Sequence, residues 1–299
     1  MIYTLGESLL DIIFTGEQKI IANAGGGMLN TSVSLVRKGL DVSLISELGD
    51  DKTAMDILKF LDENHIKTKH IKKYFQQNTS IAVAHLDENK VPSFSIYKSY
   101  PSKRQLIKPQ LFTSKDFLIF GSLYSIDPNI RNDIKEIASH AKTKDAILCY
   151  DPNIRSHDLS ISELRNALFE NIAYADIVKA SNEDMKNIFG DIAPDEFYKE
   201  VKKVNQQVMF ILTLGKDGAI GYSENNKLKI SAKPINVVNT IGAGDAFNAG
   251  IIFYLCQNRV KKQDLVKPVK KVIEGLLKSG TAFSAAVCAS QENYLPKIA

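Results

Sequence analysis

What this chain lacks removes several classes of protein at once. No apolar run approaches the ~20 residues a bilayer-spanning helix needs. The N-terminus, Met1-Ile2-Tyr3-Thr4-Leu5-Gly6, carries no charged leader ahead of an apolar stretch, so a cytoplasmic location is expected. There are three cysteines (Cys149, Cys256, Cys288), none at metal spacing. Each sits in an apolar segment, which predicts reduced, buried thiols rather than a disulfide framework. The five histidines are dispersed without a His-x-x-x-His pair, so a histidine-based metal site is not expected. The net charge is +4 over 299 residues and is scattered. The pairs Lys72-Lys73, Lys202-Lys203, Lys261-Lys262 and Lys270-Lys271 read as solvated helix or loop faces, and neither nucleic acid nor an acidic membrane is expected as a partner. No Pro/Gly/Ser linker, repeat or low-complexity segment divides the chain.

Three familiar site motifs are missing too. There is no G-x-x-x-x-G-K-[ST] loop, because Gly215-Lys216 is followed by Asp217. No G-x-G-x-x-G follows the first strand, and no G-x-S-x-G is present. A P-loop NTPase, a nicotinamide-dependent oxidoreductase and a serine hydrolase each lose their main support.

What is present is a rhythm of short strand-like runs and amphipathic segments. Residues 2–6, 42–46, 116–121, 146–150, 177–179 and 208–213 read as buried strands. Residues 28–38, 51–61, 130–141, 161–172 and 195–204 read as helices, the first carrying Leu29, Val33 and Val36 on one face and stopping at Gly39. Such alternation predicts a mostly parallel sheet covered on both faces. Two stretches break it. Residues 9–14 add a strand-like run straight after the first. Residues 79–86 and 93–98 read as a hairpin around Asp87-Glu88-Asn89-Lys90, projecting from the sheet as a flap or lid.

Residues 239–250, N-T-I-G-A-G-D-A-F-N-A-G, carry the most chemistry. Gly242-Ala243-Gly244 lead into a helix-compatible run, and the first turn of a helix offers unpartnered amides and a positive dipole end. That is a cradle for a phosphate oxygen, and the adjacent Asp245 is placed to take a proton from an attacking hydroxyl. Read locally, the same residues also make an ordinary tight turn with an acid complementing the dipole. Other segments break the tie. In an open α/β sheet, ligands bind beyond the carboxyl ends of the strands, and there the chain places Gly25-Gly26-Gly27, Asp151-Pro152-Asn153-Ile154-Arg155 and Thr213-Leu214-Gly215-Lys216-Asp217-Gly218.

With these segments in view, the chain resembles the ribokinase (PfkB) family of sugar kinases, and within it the fructokinase-like members. Residues 239–245 resemble the family's D-T-x-G-A-G-D, residues 25–30 (G-G-G-M-L-N) its G-G-x-x-x-N, Gly49-Asp50-Asp51 its G-x-D, and residues 213–218 its T-x-G-x-x-G. Order and spacing agree along essentially the whole chain. The resemblance implies an α/β fold: a ribokinase-like three-layer α/β/α sandwich with a mostly parallel central sheet. It implies a single kinase domain over 1–299, with a β-lid from about 9–22 and 77–100.

It implies ATP and Mg²⁺ as cofactors. Asp245 would be the general base, and the amides of Gly242, Ala243 and Gly244 the anion hole. Asp11, Gly26, Gly27 and Asn30 fall where the family holds sugar hydroxyls. Thr213, Gly215 and Gly218, with Lys179 and Thr240, would lie along the nucleotide. Residues 151–155 resemble the D-P-N-x-R of fructokinases and 2-keto-3-deoxygluconate kinases, where Arg155 would clamp an anionic oxygen. Residues 93–98 resemble their F-x-F-Y-R, with Lys98 in place of the arginine. The loss of the planar fork favours a neutral ketohexose such as fructose over an acidic sugar. Ser181 and Asp184 stand at the positions of the N-x-x-E that organises water around Mg²⁺.

Asn239 replaces the signature's first aspartate, in a region that holds a monovalent cation in family members, and this weakens the case for K⁺ activation. The implied reaction is transfer of the ATP γ-phosphoryl group to a primary sugar hydroxyl. Alternative substrates are 2-keto-3-deoxygluconate, ribose, a nucleoside or a phosphorylated hexose. A catalytically silent sugar-binding regulator on the same fold is the non-enzymatic alternative. A homodimer through the lid is compatible with the alternating apolar residues of 79–86.

Overall fold

The computed structural model describes residues 1–14, 20–86, 92–154 and 162–297. Its strands are β1 (Ile2–Leu5), β2 (Leu9–Phe14), β3 (Ile20–Gly25), β4 (Val42–Leu48), β5 (Lys67–Lys73), β6 (Ile81–Leu86), β7 (Pro92–Tyr97), β8 (Phe117–Gly121), β9 (Ile147–Asp151), β10 (Ile177–Ser181), β11 (Met209–Thr213), β12 (Ala219–Tyr222) and β13 (Lys227–Ile230). Its helices are α1 (Gly27–Val36), α2 (Lys52–Glu63), α3 (Arg131–Thr143), α4 (Ser162–Tyr174), α5 (Asn182–Phe189), α6 (Pro194–Val204), α7 (Ala243–Gln257), α8 (Lys262–Val266) and α9 (Lys270–Cys288).

Nine strands form one sheet in the order β13-β12-β11-β10-β9-β8-β1-β4-β5. All its neighbours are parallel except β11–β12 and β12–β13. Because successive side chains of a strand point to opposite faces, each buried strand feeds two cores. Phe117, Ile119, Ile147, Cys149, Met209 and Ile211 pack with residues of α1, α2, α7 and α9. Their neighbours Leu118, Phe120, Leu148, Tyr150, Phe210 and Leu212 pack with residues of α3, α4, α5 and α6. The result is a three-layer α/β/α sandwich, as the strand–helix alternation predicts.

A second sheet of four strands, in the order β3-β2-β6-β7, stands apart from the first. β2 pairs antiparallel with β3 and parallel with β6, and β6 pairs antiparallel with β7. The turn expected at 87–90 lies outside the described residues.

Three expectations need correction. Lys72 and Lys73 belong to neither helix nor loop but end β5, the outermost strand of the large sheet, where lysines discourage pairing with another chain. Helix α1 stops at Val36, three residues before Gly39, which takes a left-handed turn conformation (φ 78°). Cys149 is buried, but Cys256 and Cys288 are only half-buried, because both lie near helix C-termini; all three are free thiols.

The chain's final described segment straps two distant helices together. Cys288 O accepts the amides of Val238 and Asn239 (2.8 and 3.3 Å). Asn239 Nδ2 donates to Asn293 Oδ1 at 3.3 Å, Leu295 N donates to Ser34 Oγ of α1 at 3.1 Å, and Arg37 pairs with Glu292.

Candidate active site

Helix α7 begins where its sequence says it should. Its N-cap, Gly242, has φ 79°, a conformation that costs glycine little, and a Cβ at that position would collide with the Asn293 carbonyl. The Ala243 amide donates to Thr240 O at 3.2 Å, which leaves the amides of Gly242 and Gly244 as the open donors of the turn. Gly244 is exposed and Asp245 half-buried, so this helix terminus faces solvent at the point where an anion is favoured.

Asp245 is held from the side. Asn30 Nδ2, on α1, donates to its Oδ2 at 2.9 Å, and Thr31 Oγ1 donates to its backbone carbonyl at 3.1 Å. Its Oδ1 lies against Gly27, where a Cβ would come within 3.0 Å. The glycines before α1 are required by such close approaches. Gly26, the N-cap, has φ 115° and a Cβ there would collide with Glu7 O, and a Cβ on Gly25 would occupy the space of the Asp11 carboxylate. Asp11 is buried beneath that turn, and Asn30 Oδ1 is buried with no hydrogen-bond partner. A buried amide oxygen left unpaired costs free energy that an incoming hydroxyl donor would recover.

The nucleotide-side candidates sit at the neighbouring strand ends. Thr213, the last residue of β11, pairs in register with Ser181 of β10, and its Oγ1 donates to Ala180 O at 3.3 Å. Gly215 (φ 56°) faces open space, while Gly218 (φ 92°) is pressed against the backbone around Ile230. Lys179 Nζ donates to Asp151 Oδ2 at 2.7 Å in a buried ion pair. Ser181 caps α5: its Oγ accepts from Asp184 N (3.1 Å), and Asp184 Oδ2 accepts from Ser181 N (2.7 Å) and Ser181 Oγ (2.6 Å). Asp184 Oδ1 accepts from Ile154 N. Burial, then the Asp151 charge, raises the Asp184 carboxyl above its ordinary range. One of its oxygens is thus taken up by the cap and the other by the Ile154 amide. No cluster of three or more His, Cys, Asp or Glu side chains that could hold a metal occurs among the described residues.

Arg155 lies outside the described residues. Lys98, just past β7, is exposed and lines a cavity of about 460 Å³ with Tyr100, Ser102, Leu123 and Asn129. Among the described residues, no other sequence-derived site residue lines that cavity. Its floor includes Arg104 and Asp127, part of a buried network. Arg104 donates through Nε and Nη2 to Glu47 (3.2 and 2.6 Å) and through Nη1 to Asp127 (2.5 Å). Tyr74 and Tyr124 each donate to Glu47 at 2.6 Å, and the guanidinium stacks 3.8 Å from the Tyr100 ring centre.

The structure thus joins Asn30, Gly27 and Asp245 directly, and adds partners the motifs did not single out. Thr31 and Asn293 brace the turn, and Asn248 donates to Asp151 Oδ2 at 2.6 Å. Asn248 lies three residues past Asp245, so helical spacing already placed it near the signature. Asn293 carries no local sequence signal.

Comparison with known proteins covers the same length. The model of the pfkB family carbohydrate kinases matches residues 6–297. The ATP-dependent 6-phosphofructokinase of Thermoanaerobacterium thermosaccharolyticum is 28% identical over 277 residues, covering 88% of this chain and 84% of that one. The fructokinase of Klebsiella pneumoniae is 28% identical over 260 residues, covering 84% and 83%. Among solved structures, the fructokinase of Vibrio cholerae O395 in its fructose, ADP and calcium ion bound form superposes with a TM-score of 0.82 at 20% identity, over 98% of this chain and 94% of that one.

Proposed function

The chain belongs to the pfkB family of carbohydrate kinases, and from that premise we propose that it phosphorylates a primary hydroxyl of a ketohexose such as fructose at the expense of ATP. The observation that carries this reading is the Asn30–Asp245 hydrogen bond beside the open amides of Gly242 and Gly244: a held carboxylate and an anion cradle lie on one helical turn.

Asp245 accepts the proton of the sugar hydroxyl as that oxygen bonds to the γ-phosphorus and the bond from phosphorus to the ADP oxygen breaks, giving sugar phosphate and ADP. The amides of Gly242 and Gly244 receive the charge that develops on the non-bridging oxygens. One such donor is worth about 10²–10³ in rate, and a positioned base about 10²–10⁴. Asp11, Gly26, Gly27 and Asn30 bind sugar hydroxyls, with the unpaired Asn30 Oδ1 as acceptor. Lys179, Thr213, Gly215, Gly218 and Thr240 border the nucleotide. Mg²⁺ bound with ATP supplies counter-charge, and Ser181 and Asp184 hold its water shell. The four-stranded sheet serves as a lid that excludes water from the sugar.

A second reading, a phosphorylated ketohexose as substrate, is favoured by one feature: exposed Lys98 beside Ser102 and Asn129 in the 460 Å³ cavity suits an anionic group. A coupled ADP-release assay over fructose, fructose 6-phosphate, ribose, 2-keto-3-deoxygluconate and nucleosides separates the readings. Asp245→Asn should abolish turnover of the best substrate while sugar and ATP still bind. Near-normal turnover in that variant would sink the mechanism, and tight sugar binding without turnover by the unaltered chain would make it a regulator.

A further inference from the structure

Behind the cradle lies a charged cluster that the proton transfer to Asp245 does not use. In the sheet, Val178 of β10 is paired with Tyr150 of β9, which sets the next residues, Lys179 and Asp151, side by side at the strand ends. Lys179 Nζ and Asp151 Oδ2 are 2.7 Å apart, with side chains 6% and 3% exposed. The third member comes from the catalytic helix: Asn248, one turn beyond Gly244, donates to the same carboxylate oxygen at 2.6 Å. Gly244 closes the cluster from above, since a Cβ there would stand 3.5 Å from Lys179 Nζ. The ammonium therefore sits directly behind the glycine whose amide is an open donor.

One further fact sets the cluster apart from an ordinary buried ion pair. Asp151 Oδ1 is buried and has no hydrogen-bond partner. A pair buried for stability alone would be an inefficient device, because hydrophobic groups of the same volume do as well or better. Fixed charge next to a site where negative charge develops is a different matter, because it acts without reorganisation in a poorly screened environment.

Resting on the phosphoryl-transfer reading above, we propose that Asp151 is a positioning residue for that step. It holds the Lys179 ammonium behind Gly244, where the cation backs the amide donors of the cradle. Asn248 fixes the carboxylate to α7, so that cradle and cation keep one geometry. Asp151 acts through Lys179 and touches neither sugar nor the transferring group.

The test uses the full chain with the best sugar of the panel at saturating ATP. Asp151→Asn keeps the side chain's shape and removes its charge. Its kcat is expected to fall on the order of 10²-fold, with sugar and ATP dissociation constants within about threefold of the unaltered chain. Lys179→Met is expected to show a similar fall, and Asp151→Asn/Lys179→Met no further loss than Lys179→Met alone, because the aspartate has nothing left to position. A kcat for Asp151→Asn within about threefold of the unaltered chain overturns the proposal, and so do multiplying losses in the double variant. Should Asp151→Asn fail to fold in a thermal melt, the other two variants decide, since removing both members of a buried pair is milder than stranding one. Asp151→Asn/Lys179→Met with unaltered kcat then refutes it. An unaltered chain that turns over no sugar fails the kinase reading itself and takes this one with it.

Discussion

Glu47 is the residue whose removal this fold should tolerate least outside the turn at 239–245. Its carboxylate, fully buried at the end of β4, accepts four hydrogen bonds: two from Arg104 and one each from Tyr74 and Tyr124. Glu47→Gln keeps the volume, removes the charge, and turns one acceptor into a donor facing donors. Arg104, 2% exposed, is left with Asp127 as its single acidic partner. Breaking a buried pair on one side costs about 3–5 kcal/mol. At ~2.1 cal/mol/K per residue, a chain of this length has an unfolding entropy of ~0.63 kcal/mol/K. The expected fall in Tm is therefore about 5–8 °C, read by calorimetry or by circular dichroism against temperature. Asp56→Asn is the control, because the Lys52–Asp56 pair (3.1 Å) is solvent-exposed and such pairs are worth at most about 1 kcal/mol. A Glu47→Gln melt within about 1 °C of the unaltered chain would refute the reasoning, since it would mean that the buried guanidinium does not depend on its main counter-charge.

Two other expectations follow from geometry. Gly242→Ala must place a Cβ at φ 79° and against the Asn293 carbonyl, so it should cost about 2 kcal/mol or more and displace the cradle, with kcat falling at least about 10²-fold. Gly39→Ala has a similar φ of 78° but open space around it; it should lose only the backbone strain, about 1 kcal/mol, and an equal effect of the two on kcat would show that the Asn293 contact is irrelevant. His70 is buried against Ser43 Oγ (2.9 Å), and burial, aided by the Lys69 charge, lowers its pKa from 6.5 to about 4. Between those values the unfolded chain binds the proton and the folded chain does not, so this contribution to stability is complete above pH 6.5, falls as pH drops, and levels off near 4. Urea midpoints of the unaltered chain and His70→Gln, compared from pH 7 to 4, should converge; a difference independent of pH would count against a neutral buried imidazole.

The sandwich was legible because its inner strands are buried on both faces and so read as largely apolar runs; those within 116–121 and 146–150 need no context to be recognised. β5 was not, since four of its seven residues are lysines and only His70 and Ile71 are buried. Its place at the sheet's edge, which makes that composition useful, is a tertiary fact. β3 was missed for a similar reason: Asn23, Ala24 and Gly25 look like a turn, and the strand exists because β2 supplies its hydrogen bonds. In the candidate site, positions set by local backbone geometry were readable from the motifs, as the positive φ of Gly26 and Gly242 shows. Some partners that meet across the fold were not. Asp151 sat inside a motif chosen for its arginine, and Asn293 reaches Asn239 over 54 residues of chain.

The strap formed by the final described segment has a consequence for biosynthesis. Asn30 meets Asp245 across 215 residues, and Ser34 meets Leu295 across 261. A ribosome delivers the chain from the other end, so the central strands can pair and bury their apolar faces while the turn at 239–242 still lacks Cys288 and Asn293 to brace it. Contacts of such sequence separation bear the largest loop-closure cost and form late. The nascent protein therefore passes through a stage that has a sheet and a core while the turn at 239–242 is still unbraced, and the turn gains its support only once the segment from Cys288 to Leu295 has been made.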